Sequence, residues 1–198
     1  MLVNSPWGPA RTFFPIFEAL VRTERSASVL VIGASDGKFV LPLAERGIQV
    51  VALDVDKNSL LSGQGSLKWR ADNCGLSSSI ACVHGDMLEV DLGEFDAVWT
   101  SCSWHYSRNF GRPLADYIDA MKRHIRRSGI FAAEYMMPVD VKHVQVEHYI
   151  EPGEVWGFLR SWERLWDAYT TAYEEAPHPG QDFPHVHRMG FCVARKPS

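Results

Sequence analysis

The chain has no long apolar run, no excess of positive charge, no internal repeat and few cysteines. Each absence excludes something. Four cysteines occur in 198 residues, Cys74, Cys82, Cys102 and Cys192, and none forms a C-x-x-C pair. That spacing supplies neither a zinc-ribbon ligand set nor a disulfide framework. Reduced thiols in or beside buried segments are the expectation, with a cytoplasmic location. Lys and Arg number 20 against 24 Asp and Glu, a net charge of −4. A general nucleic-acid binder would carry a basic face, so no nucleic-acid partner is expected. No apolar run approaches a membrane span, and no charged segment leads into an apolar one near the start. Neither a membrane partner nor a signal peptide is expected.

What is there alternates. Apolar runs at 29–32, 48–56 (IQVVALDVD), 79–86 (SIACVHGD), 95–103 (FDAVWTSCS) and 129–137 (GIFAAEYMM) read as strands. Between them lie amphipathic stretches. Lys38–Arg46, ended by Gly47, reads as a helix, as do residues 57–72 and 113–127. Phe13, Phe17, Leu20 and Val21 recur at helical spacing ahead of the first strand, with Pro15 suited to a first turn. Strands alternating with helices predict a doubly wound, mostly parallel α/β sheet. The pattern then changes. Residues 139–152 read as a polar loop and EPGEVWGFLRSW as a short helix. Residues 163–175 and 185–197 then read as two strands without a helix between them, an antiparallel hairpin.

The stretch Gly33-Ala34-Ser35-Asp36-Gly37 follows the first strand and admits three chemistries. It matches G-x-S-x-G, the nucleophile elbow of a hydrolase. Only about one helix precedes Ser35, however, where an elbow follows several strands and an oxyanion loop. It also sits where a dinucleotide-binding loop would sit, but Lys38 stands where G-x-G-x-x-G has a packing glycine.

The third reading is a resemblance. Over most of its length the chain resembles the class I S-adenosylmethionine-dependent methyltransferases, whose first motif has the form [D/E]-x-G-x-G-x-G. Gly33, Ser35 and Gly37 fall on the three glycine positions, and Val31 replaces the acid. Asp54 ends the second predicted strand about twenty residues after the loop, where an acid accepts bonds from ribose hydroxyls. The resemblance implies that Asp86, in HGDM, recognises the adenine amino group and that Met87 covers the ring. It gives Ala34, Val55 and Thr100 to the same ligand, S-adenosyl-L-methionine. The segments IEPGEVWGFLRSWERLWDAYTTAYEE and HRMGFCVARKP are similar to the ending of small tellurite-resistance and thiopurine-type methyltransferases. By that likeness Arg188 meets the substrate. A seven-stranded sheet is implied, in a single domain divided into a helix or lid (1–26), a cofactor-binding core (27–136) and a substrate-side tail (137–198).

Ser103-Trp104-His105-Tyr106 follows the fourth strand and would face the methyl group. His105 is a candidate base for a hydroxyl or amine nucleophile, and Tyr106 a stacking surface. Arg188 suits an anionic substrate. Trp7, Phe13 and Arg11 are candidate lid contacts, while Trp156, Trp162 and Trp166 read as packing between tail and sheet. His143, Glu147, His148 and His185-x-His187 hint at a metal, but no structural Cys/His spacing appears, so none is expected. The expected activity is methyl transfer to an N, O or S atom of a small molecule. The alternative is cyclisation or elimination on the same cofactor site. Nucleic-acid methylation lacks its motif, since the matching position reads Thr100-Ser101-Cys102-Ser103.

Overall fold

The five apolar runs become the centre of one sheet. In a computed structural model, which describes residues 5, 13–177 and 182–198, the strands β1 (Ser28–Ile32), β2 (Gln49–Asp54), β3 (Ile80–His84), β4 (Phe95–Ser101) and β5 (Ile125–Met136) pair in parallel. β6 (Glu163–Tyr169) and β9 (Met189–Arg195) close it antiparallel, in the order β3-β2-β1-β4-β5-β9-β6. The predicted hairpin thus exists, with each arm broken in two. The inner parts join the large sheet, and β7 (Tyr173–Glu175) pairs with β8 (His185–His187) as a separate ribbon. Alternation along each strand divides the core. Val29, Val31, Val50 and Trp99 face helices α1 (Phe14–Thr23), α2 (Val40–Glu45), α3 (Lys57–Leu61) and α4 (Leu67–Cys74). Leu30, Ile32, Leu53 and Phe131 face α5 (Leu114–Arg123) and the tail segment carrying Trp156 and Trp162.

Several boundaries differ from expectation. Residues 57–72 form two helices, because Gly63 and Gly65 both take positive φ and Ser66 starts α4 afresh by accepting from Trp69 N–H. The helix predicted to residue 127 stops at Arg123, because Phe95 N–H donates to the His124 carbonyl and Ile125 begins β5. Strand pairing overrides the helical spacing of Ile125 to Arg127. The tail segment is a short 3-10 turn at Glu154–Gly157, and the loop 139–152 holds a single turn, α6 (His143–Val146). Phe13 is buried and stacks on Phe191 at 4.8 Å, so it is part of the core beneath α1. Trp156 and Trp162 are buried as packing residues, while Trp166 is exposed on edge strand β6. Trp7 and Arg11 lie outside the described residues. No helix among the described residues is long and apolar enough to cross a membrane.

Candidate active site

The turn Gly33–Gly37 leaves β1 at its carboxyl end and is tied to β2. Gly33 and Ala34 N–H donate to the Leu53 carbonyl at 2.9 and 3.1 Å, and Ser35 N–H donates to Asp54 Oδ2 at 2.7 Å. Asp54 Oδ1 accepts from Asp56 N–H at 2.7 Å. A carboxylate offers about four lone-pair sites, so both oxygens keep capacity for hydroxyl donors. The glycines are required by geometry. Gly33 has φ +70°, and a Cβ there would stand 2.8 Å from Ser103 Cβ; Gly37 has φ +91°, and a Cβ there would overlap Leu67. Ser35 shares the left-handed conformation at φ +46°. Asp36 points inward and forms a buried ion pair with Arg70 of α4 at 3.2 Å. Val31, at the motif's acidic position, is buried in the core.

The other assigned residues line the same edge. Asp86 follows β3, and its Oδ1 accepts from Leu88 N–H at 2.9 Å. Met87 is buried beside it, and Val55 is exposed just past β2. Thr100 is fully buried. Its hydroxyl donates to the Ile32 carbonyl at 3.2 Å and pairs with Ser103 Oγ at 2.5 Å. It therefore anchors the loop after β4 from beneath.

That loop carries His105, only 8 % exposed. Burial holds its imidazole down to about 4, against a hydrogen bond with the Cys102 backbone that acts the other way, so the ring is neutral near pH 7. Its Nδ1 is buried without a hydrogen-bond partner among the described residues. The ring lies 4.1 Å from that of Tyr106 and edge-on to Tyr149 at 5.6 Å. Tyr106 is exposed, with the Arg108 guanidinium 5.1 Å over its ring. Arg188 sits half-buried between β8 and β9. Its carbonyl accepts from Met137 N–H at 2.8 Å, and its side chain forms no ion pair among the described residues.

Sequence reasoning missed Glu134, at the carboxyl end of β5. Its Oε2 accepts from Ser101 Oγ at 2.7 Å. Burial pushes it up to about 7, opposed by that bond, by Lys38 and by the backbone of Phe13 and Phe14 at the start of α1. A lone acid inside GIFAAEYMM was the available signal. The polar tail separates into two parts. His148 Nε2 lies 3.1 and 2.8 Å from the carbonyls of Asn109 and Arg112, and His143 stacks on Tyr149 at 4.6 Å. His185 and His187 instead meet Glu175, with donor atoms of all three within 4.8 Å of one another.

A glycine turn and strand-end acids at the carboxyl edge of a parallel sheet closed by an antiparallel pair define a class I methyltransferase fold. Residues 30–133 match the family described as "Methyltransferase domain", and the chain belongs to it. No curated protein sequence matches. Among solved structures the chain is similar to TehB from Haemophilus influenzae, with TM-score 0.70 and 17% identity over 90% of this chain. The chain spans 60% of the TehB chain. It is also similar to magnesium protoporphyrin IX methyltransferase (ChlM) from Synechocystis PCC 6803, solved with bound SAH: TM-score 0.67, 11% identity, 96% of this chain and 91% of that one. The [4+2]-cyclase SpnF matches at TM-score 0.63 and 17% identity over 92% of this chain and 81% of its own.

Proposed function

We propose that the protein transfers a methyl group from S-adenosyl-L-methionine to an N, O or S atom of a small molecule. The observation that carries this reading is Asp54. Its carboxylate closes the Gly33–Gly37 turn through Ser35 N–H and keeps lone pairs for ribose hydroxyls beside a cradle that a Cβ at Gly33 would fill. Gly33, Ala34, Ser35, Gly37 and Asp54 would hold the cofactor's ribose and tail, with Val55, Asp86 and Met87 around its adenine. When bound, the cofactor supplies an electrophilic methyl on a sulfonium. Thr100 is a positioning residue, fixing Ser103 and hence the loop that carries His105.

The chain's own contribution is alignment and exclusion of water. His105 is neutral, and its buried Nδ1, without a hydrogen-bond partner among the described residues, is the atom that would take a proton from an acceptor hydroxyl or ammonium. Tyr106 offers a ring face, and Arg188 a guanidinium that forms no ion pair among the described residues, for an anionic group on the acceptor. The division into an N-terminal helix (1–26), a cofactor core (27–136) and a substrate-side tail (137–198) belongs to the same reading.

Calorimetric titration with S-adenosylmethionine tests the cofactor. Micromolar binding is expected, weakened about 10–100-fold in Asp54→Ala through loss of hydrogen bonds worth about 1.5–3 kcal/mol. Equal affinity in the variant would refute the assignment. The fold it shares with SpnF supports a second reading, a reaction on the same cofactor without methyl transfer. S-adenosylhomocysteine formed in step with acceptor turnover selects transfer; turnover without it selects the second reading.

A further inference from the structure

The ribbon β7–β8 brings Glu175 of one strand together with His185 and His187 of the other. Cross-strand register sets Glu175 opposite His185 and Tyr173 opposite His187. The two-residue repeat of a strand puts His185 and His187 on one face. That face is half-buried, while Val186 on the other face is exposed. His187 Nε2 lies 3.1 Å and His185 Nε2 3.9 Å from the same atom, Glu175 Oε2. The imidazole rings are 4.4 Å apart and perpendicular. His185 Nδ1 donates to the Phe183 carbonyl at 2.9 Å, which leaves Nε2 as the lone-pair nitrogen and turns it toward Glu175. Histidines that bind metals are oriented by this kind of bond to their second nitrogen.

We infer that Glu175, His185 and His187 form a site for a divalent transition metal. A cation satisfies both nitrogens and the carboxylate at once, and metal–ligand distances of about 2.0–2.2 Å need only small side-chain shifts from the present spacing. Two imidazoles and one carboxylate suit Zn²⁺, Fe²⁺, Co²⁺ or Ni²⁺ rather than Mg²⁺ or Ca²⁺. The metal site does not depend on the methyl-transfer reading above.

The test uses tag-free, chelator-treated full-length protein titrated with Co²⁺ and followed by visible d–d absorption. One equivalent is expected, displaced by Zn²⁺. Affinity should fall at least about tenfold in His185→Ala, His187→Ala and Glu175→Gln, and stay unchanged in His84→Ala, on exposed β3. S-adenosylmethionine titration of each variant reports that the core is folded. Absent Co²⁺ binding, or equal binding by the three variants, overturns the site. Co²⁺ binding in a protein that binds no S-adenosylmethionine would leave the metal site standing and remove the methyl-transfer reading.

Discussion

Gly33 shows how much one residue decides. Its φ of +70° is strained for any side chain, and an added methyl would press on Ser103 Cβ at 2.8 Å. Ser103 is paired with Thr100, which holds the Ile32 carbonyl, so the push would reach β1 and the loop bearing His105 together. Gly33→Ala should therefore destabilise the protein by about 1–3 kcal/mol. Thermal unfolding should show it as a lowered Tm. Gly63→Ala serves as comparison: Gly63 also has positive φ, but nothing stands within 4 Å of an added Cβ, so the loss should be smaller. Equal losses would mean that backbone strain alone acts and that contact with Ser103 does not.

At the scale of elements, the glycine turn is held by α4 through Asp36 and Arg70, whose side chains are 6% and 5% exposed. Breaking such a pair strands a buried charge, so Arg70→Ala should cost about 3–5 kcal/mol. The double change Asp36→Leu with Arg70→Met should recover much of that. Urea denaturation with an unchanged slope is the check; a double variant as unstable as the single one would refute the ion-pair explanation. The parallel strands could be read from the chain because burial on both faces demands continuous apolar runs, as in Val50 to Leu53. Strand-end acids such as Asp54 and Asp86 could be read because each terminates such a run. Element ends at residues 57–72 and 113–127 could not, since Gly63 and the Phe95–His124 bond act through turns and partners that local periodicity does not contain. Nor could the meeting of Glu175 with His185 and His187, which depends on cross-strand register. The fold was therefore more legible than the site, because burial leaves a local pattern and convergence of side chains does not.

Across the whole molecule two buried groups work against each other with pH. Glu134 is pushed up to about 7 from an ordinary 4.5, so the folded state binds its proton more tightly than the unfolded chain. Its contribution is full below pH 4.5 and lost as pH rises through 7. His105 is held down to about 4 from 6.5, so its contribution is full above pH 6.5 and lost as pH falls through 4. Each amounts to about 3 kcal/mol, and between pH 4.5 and 6.5 the slopes oppose. In metal-free protein, stability should vary little across that window. Glu134→Gln should make it rise with pH there, and His105→Gln should make it fall. Chemical denaturation at intervals of half a pH unit would show both; parallel curves for the wild type and both variants would exclude the antagonism.

The ribbon β7–β8 contributes no residue to either buried cluster beneath the seven-stranded sheet. A two-stranded ribbon is marginally stable by itself, so its shape follows whatever its inner face touches. Folding and whatever the ribbon binds are consequently lodged in different stretches of chain. Selection can rewrite the ribbon while the sheet stays above its stability threshold, and one scaffold can diversify there without relearning how to fold.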